Sequence, residues 1–103
     1  MDVRLTGGDT NWGRLEVRHD ADWEKVSNIT WNESNTIAAC KSLGMQTGYT
    51  MVNAFGPGPG SFWAGQVKCT GGENNLKDCT HEHKKKNGSS PDYETWIVCG
   101  KKI

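Results

Sequence analysis

The stretch that decides the fold is CTGGENNLKDC, which runs from Cys69 to Cys79. Between its two cysteines it is polar except for Leu76, which predicts a short helical turn near 73–79. Two further cysteines, Cys40 and Cys99, lie upstream and downstream, so the chain of 103 residues has four. Four cysteines in so short a chain are typical of an oxidising compartment. They allow three disulfide pairings, among which the residues alone do not choose.

The composition fits one small domain that needs covalent support. Hydrophobic residues make up 34% of the chain, which allows only a modest core. The charges of the 12 basic and 12 acidic residues cancel, so the protein as a whole has no positive electrostatic field that would attract nucleic acid. Any charged binding face is therefore a local patch. No apolar run reaches the roughly 18 residues of a membrane helix, so we expect no direct membrane insertion.

The glycosylation motifs of the sequence are a further indication of an extracellular location. The chain contains three glycosylation sequons, and the candidate acceptors are Asn28, Asn32 and Asn87. No signal peptide precedes the first predicted strand, so we expect a larger secreted or membrane-anchored parent protein.

The pattern along the chain predicts a single α+β domain over residues 1–103, with its core in 3–99. Alternating apolar and polar residues predict strands at 3–5, 13–18, 23–26, 49–55, 62–68 and 93–99. Asn32 or Ser34 caps the one predicted helix, and Gly44 ends it. Segment 81–91 is predicted to be a polar loop. The expected architecture is a curved, mostly antiparallel sheet that cradles the helix.

Catalytic motifs are absent from the sequence. It has no HExxH, GxSxG, P-loop or CxxC pattern. The glycine-rich segment 56–60 is no phosphate cradle, because its two prolines remove amide donors. We therefore predict that the chain is not an enzyme and uses no cofactor.

One cluster raises the alternative of a zinc-binding domain. Cys79, His81 and His83 alternate along the chain and could converge on zinc together with Cys69. The competing interpretation is that both histidines lie in a loop and both cysteines form disulfides, which is what an oxidising compartment favours. We adopt the second interpretation and expect no metal.

Several blocks of sequence follow one another in a recognisable order. They are VRLTGG at 3–8, GRLEV at 13–17 followed by Trp23, CKSLG at 40–44 preceded by Trp31 and Ala38, and CxGxExxLxxC at 69–79 preceded by Trp63 and Val67. Together with Cys99 they resemble the scavenger receptor cysteine-rich family. The resemblance implies an extracellular module, held by two disulfides, that binds protein, glycan or other polyanionic ligands. A spacer domain without a ligand of its own is the alternative.

The chain departs from the six-cysteine version of that family at two positions. Ser27 and Ser89 stand where that version has two cysteines bonded to each other. Their joint loss, with the other four cysteines kept, implies the family pairing of Cys40 with Cys99 and of Cys69 with Cys79.

The family's calcium ligands are also replaced. Many relatives bind calcium through acidic residues at the positions of Asn28, Ile29 and Tyr93. Asp92 and Glu94 flank the last position and substitute only weakly, because calcium needs six or more oxygen ligands with carboxylates among them. Calcium binding is therefore not expected.

Two basic features are candidates for ligand binding. Arg14 and Arg18 are predicted to face outward from one strand, with Arg4 beside them on the first strand, as a cationic array for sulfated, phosphorylated or sialylated polyanions. The second candidate is the run Lys84, Lys85 and Lys86. For both, the alternative is an ordinary solvated face. The five tryptophans are expected mostly in the core, with Trp12 the most exposed.

Overall fold

The structure is a computed structural model that describes residues 2–18, 22–26, 31–51, 67–81 and 94–100, together with the backbone of 62–63 and 85–86. Its strands are β1 (Asp2–Asp9), β2 (Trp12–Arg18), β3 (Trp23–Val26), β4 (Gly48–Met51), β5 (Phe62–Trp63), β6 (Val67–Lys68), β7 (Thr80–His81), β8 (Lys85–Lys86) and β9 (Trp96–Cys99). One α-helix, α1 (Glu33–Ser42), and a 3₁₀ turn, Leu76–Asp78, complete the described elements.

A seven-stranded sheet forms the body of the domain, and β2 is at its centre. The strand order is β4-β9-β2-β3-β5-β8, and β1 pairs with β2 as an antiparallel hairpin. Described pairings in this sheet are antiparallel except that of β3 with β5, which is parallel. Strands β6 and β7 form a separate antiparallel pair. The predicted α+β class and mostly antiparallel sheet are confirmed.

One face of the sheet, the inner face, carries the apolar core. Leu15, Val17 and Ile97 are fully buried there and pack with Ala39 and Cys40 of α1. The alternation of Leu15 and Val17 with polar neighbours places both on this face, as the sequence predicts. The helix therefore covers the inner face and leaves the other, outer face to the polar side chains of β1, β2 and β3.

The helix begins and ends as its sequence predicts. Of the two predicted caps, Asn32 is the one used: its side chain accepts a hydrogen bond from Asn35 N at 2.9 Å. At the other end Gly44 has a φ of 84°, and Gly44 N and Met45 N donate to the carbonyls of Lys41 and Cys40. These bonds pair carbonyls of the last helical turn, and the left-handed backbone that they require at residue 44 favours glycine.

The buried side of the helix includes polar residues that the pattern did not predict. Asn35 is fully buried, donates to Val67 O at 2.9 Å and accepts from Cys69 N at 3.0 Å. Its side-chain amide therefore hydrogen-bonds to the backbone of β6 and of the residue that follows it, as a neighbouring strand would. Ile37, in contrast, is only half-buried.

Two disulfides fasten the fold. Cys40 bonds to Cys99, which joins the helix to the last strand, and Cys69 bonds to Cys79, which closes the loop around the 3₁₀ turn. This is the pairing that the resemblance implies, and the described residues contain no free cysteine.

Two predicted segments differ from the structure. The strand predicted at 62–68 is two short strands, β5 and β6, which belong to different sheets. The loop predicted at 81–91 contains strand residues, because His81 lies in β7 and β8 pairs with β5. Such short pairings depend on partners distant in the chain and leave no local pattern.

Candidate ligand-binding face

The outer face of the sheet gathers charged side chains from three strands. Strand register places Asp2 opposite Arg18 and Arg4 opposite Glu16, and it places Trp23 beside Arg18. Residues directly opposite each other point to the same side of a sheet, so these five side chains share the outer face.

Trp23 is the centre of this arrangement. The guanidinium carbon of Arg4 lies 4.1 Å from its ring centroid, and that of Arg18 lies 5.2 Å from it. Both distances are in the range of cation–π contacts. The side chains of Arg4 and Arg18 remain 45% and 42% exposed. We call Arg4, Arg18 and Trp23 the arginine–tryptophan cluster.

Each arginine of the cluster is held by one carboxylate. Arg4 Nε donates to Glu16 Oε1 at 2.8 Å, and Arg18 Nε donates to Asp2 Oδ2 at 3.0 Å. The Arg18 hydrogen bond and positive charge lower the pKa of the Asp2 carboxyl. The carboxylates fix the guanidinium planes and reduce the positive charge of the face.

Arg14 does not belong to the exposed array, and that prediction is wrong. Its side chain is only 11% exposed, and Arg14 Nε donates to the fully buried Glu94 carboxylate at 2.8 Å. Its guanidinium also lies 4.8 Å from the centroid of Trp96, a ring that is itself buried. Alternation along a strand predicts which face a residue takes, but it does not predict whether that face is covered.

A buried ionic cluster lies around Glu94. Its second carboxylate oxygen is 3.2 Å from Lys25 Nζ, and Lys25 is buried as completely as Glu94. Thr6 links this cluster to the exposed pairs, because its hydroxyl accepts from Arg14 Nη1 at 3.3 Å and donates to Glu16 Oε2 at 3.2 Å. Glu94 therefore serves two buried cations and is not a free ligand for calcium.

Other predicted site residues fall outside the described part of the chain. They are Ser27, Asn28, Ile29, Lys84, Asn87, Ser89, Asp92 and Tyr93, and Lys85 and Lys86 are described only as backbone in β8. The lysine run and the calcium positions therefore remain predictions. Trp12, expected to be the most exposed indole, is half-buried, with its ring centroid 6.4 Å from that of Trp96.

The two cysteines that were candidate zinc ligands are not available to bind a metal. Cys69, Glu73 and Cys79 are the one group of potential metal ligands within the described residues, with ligand atoms within 4.8 Å of one another. The two sulfurs, however, bond to each other, and a metal requires free thiolates. His81 Nδ1 lies 2.9 Å from Cys79 O, and His83 is outside the described residues.

Glu73 instead stabilises the disulfide loop. Its carboxylate accepts hydrogen bonds from Thr70 N at 3.0 Å and from Gly71 N at 3.1 Å. These backbone donors, that of Thr70 first, lower the pKa of Glu73. The role of this acidic residue is structural.

Comparison with known proteins agrees with this geometry. A family model described as the scavenger receptor cysteine-rich domain matches residues 5–100. The chain belongs to this family. The third domain of this family in murine neurotrypsin has a crystal structure that superimposes with a TM-score of 0.79, at 26% identity and with 94% of each chain covered. The family is one of non-enzymatic domains.

Curated relatives with the same domain are larger proteins. The human CD5 antigen-like protein is 37% identical over 86 residues, which cover 79% of this chain and 25% of the relative. The mouse macrophage receptor MARCO is 36% identical over 78 residues, which cover 76% of this chain and 15% of the relative. The chain thus spans a quarter or less of these relatives. Among the described residues, no helix is long and apolar enough to cross a membrane.

Two acidic partners of the arginines, Asp2 and Glu94, were not predicted from the sequence. A signal for Asp2 was available, because two alternating strands joined by the short turn at Thr10 and Asn11 place it opposite Arg18. No comparable signal existed for Glu94, which lies 80 residues from Arg14 in the chain. Long-range ion pairs of this kind leave no local pattern.

Proposed function

We propose that this scavenger receptor cysteine-rich domain is an extracellular ligand-binding module of a larger secreted or membrane-anchored protein. Its ligands are proteins or polyanions that present sulfate, carboxylate or sialic acid groups. The arginine–tryptophan cluster is the contact site. The observation that carries the proposal is the pair of half-exposed guanidinium groups, which stack on one indole at 4.1 and 5.2 Å.

The stacked arrangement suits anion recognition. Stacking and the carboxylates hold the guanidinium groups in place, so less side-chain freedom is lost when a ligand binds. In Arg4 and Arg18 the described hydrogen bonds and ion pairs use Nε and Nη2. Within the described residues Nη1 of either side chain has no such partner, which leaves N–H donors for a ligand oxygen.

A spacer domain without a ligand is the second candidate. The observation in its favour is that Arg4, Arg14 and Arg18 each have a carboxylate partner. An array neutralised in this way attracts polyanions less strongly than three free arginines would. Affinity measurements on variants separate the two candidates.

The test is binding of the fully oxidised protein to heparin or dextran sulfate at two salt concentrations. We expect Arg4→Ala with Arg18→Ala to weaken binding about tenfold, or ~1.4 kcal/mol, and to flatten its salt dependence. The matched control is Lys68→Ala with Lys77→Ala, which removes the same charge from exposed positions elsewhere.

If both double variants bind like the wild type while substitution of Lys84, Lys85 and Lys86 abolishes binding, the site is the lysine run. If the wild type binds neither heparin, dextran sulfate nor any protein of matrix extracts, the spacer candidate is correct.

A further inference from the structure

Asn32 starts the one sequon, Asn32-Glu33-Ser34, whose surroundings the structure describes. The other two candidate acceptors, Asn28 and Asn87, lie outside the described residues. Asn32 is exposed and has an extended backbone, with φ −126° and ψ 171°, immediately before the first residue of α1. An acceptor asparagine must be at the surface, because an N-linked glycan is bulky and solvated.

Among the described residues, one of the two polar atoms of the Asn32 side chain takes part in a hydrogen bond. Oδ1 accepts the hydrogen bond from Asn35 N at 2.9 Å that caps the helix. This bond leaves Nδ2, the other polar atom of the carboxamide, out of the helix cap. Within the described residues no hydrogen bond uses Nδ2. The atom that would carry a glycan is therefore separate from the atom that caps the helix.

The position of Asn32 is also separate from the proposed contact site. Asn32 precedes the helix, which covers the inner face of the sheet, whereas the arginine–tryptophan cluster lies on the outer face. The next residue, Glu33, accepts from Thr50 N at 2.9 Å through Oε1, which ties the helix start to β4. Strand β4 is at one end of the described strand order, so a group on Asn32 would lie beside a sheet edge.

We infer that Asn32 carries an N-linked glycan in the secreted protein, and that this glycan covers the helix side and the β4 edge while leaving the arginine–tryptophan cluster open. The inference rests on the extracellular placement in the proposed function. In the transfer step, Nδ2 attacks the anomeric carbon of a polyisoprenyl diphosphate-linked oligosaccharide. The new C–N bond replaces the bond to the diphosphate, which leaves with the lipid, and Nδ2 releases one proton. Oδ1 keeps its acceptor role.

The experiment uses protein secreted from a eukaryotic host, with Asn28→Gln and Asn87→Gln to leave Asn32 as the one acceptor. We expect an intact mass that falls by one glycan upon treatment with peptide N-glycosidase, which converts Asn32 to aspartate. Ser34→Ala abolishes the sequon but keeps the cap, and Asn32→Asp removes the acceptor amide but keeps a capping oxygen. Both should lose the glycan with an unchanged urea midpoint, whereas Asn32→Ala should lose the glycan and lower the midpoint.

A correctly secreted and oxidised protein with unmodified Asn32 would overturn the inference. Glycosylated and enzymatically deglycosylated samples should bind heparin with the same affinity within about twofold, and a larger change would overturn the claim that the glycan leaves the cluster open. The mass measurement does not depend on ligand binding. A protein that is glycosylated at Asn32 but binds no ligand would therefore contradict the proposed function and leave the modification site established.

Discussion

Arg14 Nε donates a hydrogen bond to Glu94 Oε1 at 2.8 Å, and the structure buries both side chains. The pair connects the centre of the sheet to the segment just before its last strand. Lys25, equally buried, lies 3.2 Å from the other oxygen of the same carboxylate. Glu94 is thus the shared counter-ion of two cations that are buried away from solvent.

Replacement of Glu94 by glutamine should therefore destabilise the domain strongly. The change leaves two buried cations without their shared negative charge, and breaking a buried ion pair costs roughly 3 to 5 kcal/mol. The measurement is the urea midpoint of the oxidised protein. Lys25→Met combined with Glu94→Gln should recover part of the loss, because one of the two buried cations is gone. A wild-type midpoint for Glu94→Gln would show that this cluster contributes little to stability.

The two disulfides should contribute unequally to stability. Their sequence separations are 59 for Cys40–Cys99 and 10 for Cys69–Cys79. In the chain-entropy model the longer loop contributes about 4 kcal/mol and the shorter about 3. Unfolding of the Cys40→Ala/Cys99→Ala and Cys69→Ala/Cys79→Ala variants measures the difference. Thiol titration of the wild type should find no free thiol, and peptide mapping that linked Cys40 to Cys69 would contradict the pairing.

A third disulfide should form if cysteines are placed at Ser27 and Ser89. Neither residue is in the described part of the chain, but Thr95 N donates to Val26 O at 2.9 Å, so the end of β3 lies beside the segment before β9. We expect Ser27→Cys/Ser89→Cys to oxidise spontaneously and to raise stability by about 2 to 4 kcal/mol. Mass spectrometry and urea unfolding check both points. A double variant that keeps two free thiols under oxidising conditions would show that the ancestral bridge geometry is lost.

Glu73 should contribute stability that is sensitive to acid. Backbone hydrogen bonds lower its pKa in the folded protein, so the contribution is present above the unfolded pKa and is lost as the pH falls through the folded pKa. Glu73→Gln should therefore reduce stability at neutral pH but have little effect in strong acid. Urea unfolding at a series of pH values tests this. An equal loss of stability at all pH values would assign the effect to packing instead of charge.

The sequence predicted the parts of the fold that depend on local chemistry. The cap at Asn32, the end of the helix at Gly44 and the inward side chains of Leu15 and Val17 follow from residue type and spacing. The burial of Arg14 did not follow, because it depends on Glu94 and Trp96, which are distant in the chain.

The same distinction applies to the candidate site. Because apolar and polar residues alternate along β1 and β2, Arg4 and Arg18 lie on one face of the sheet, as predicted. Their contact with Trp23, however, depends on the pairing of three strands. The binding role of these residues remains a prediction. It follows from their exposure and stacking in this structure, while the sequence pattern alone fits a solvated face equally well.

The most direct test of the ligand-binding proposal is an NMR titration of the isotope-labelled, oxidised protein with a heparin oligosaccharide. If the arginine–tryptophan cluster is the contact site, the largest shift changes will be those of the Trp23 indole N–H, the Arg4 and Arg18 Nε–H groups and the neighbouring backbone of β1 and β2. These changes should shrink as salt rises, because the contacts depend on charge. Changes confined to the lysine run or to the helix, with Trp23 and both arginines unmoved, would contradict the account.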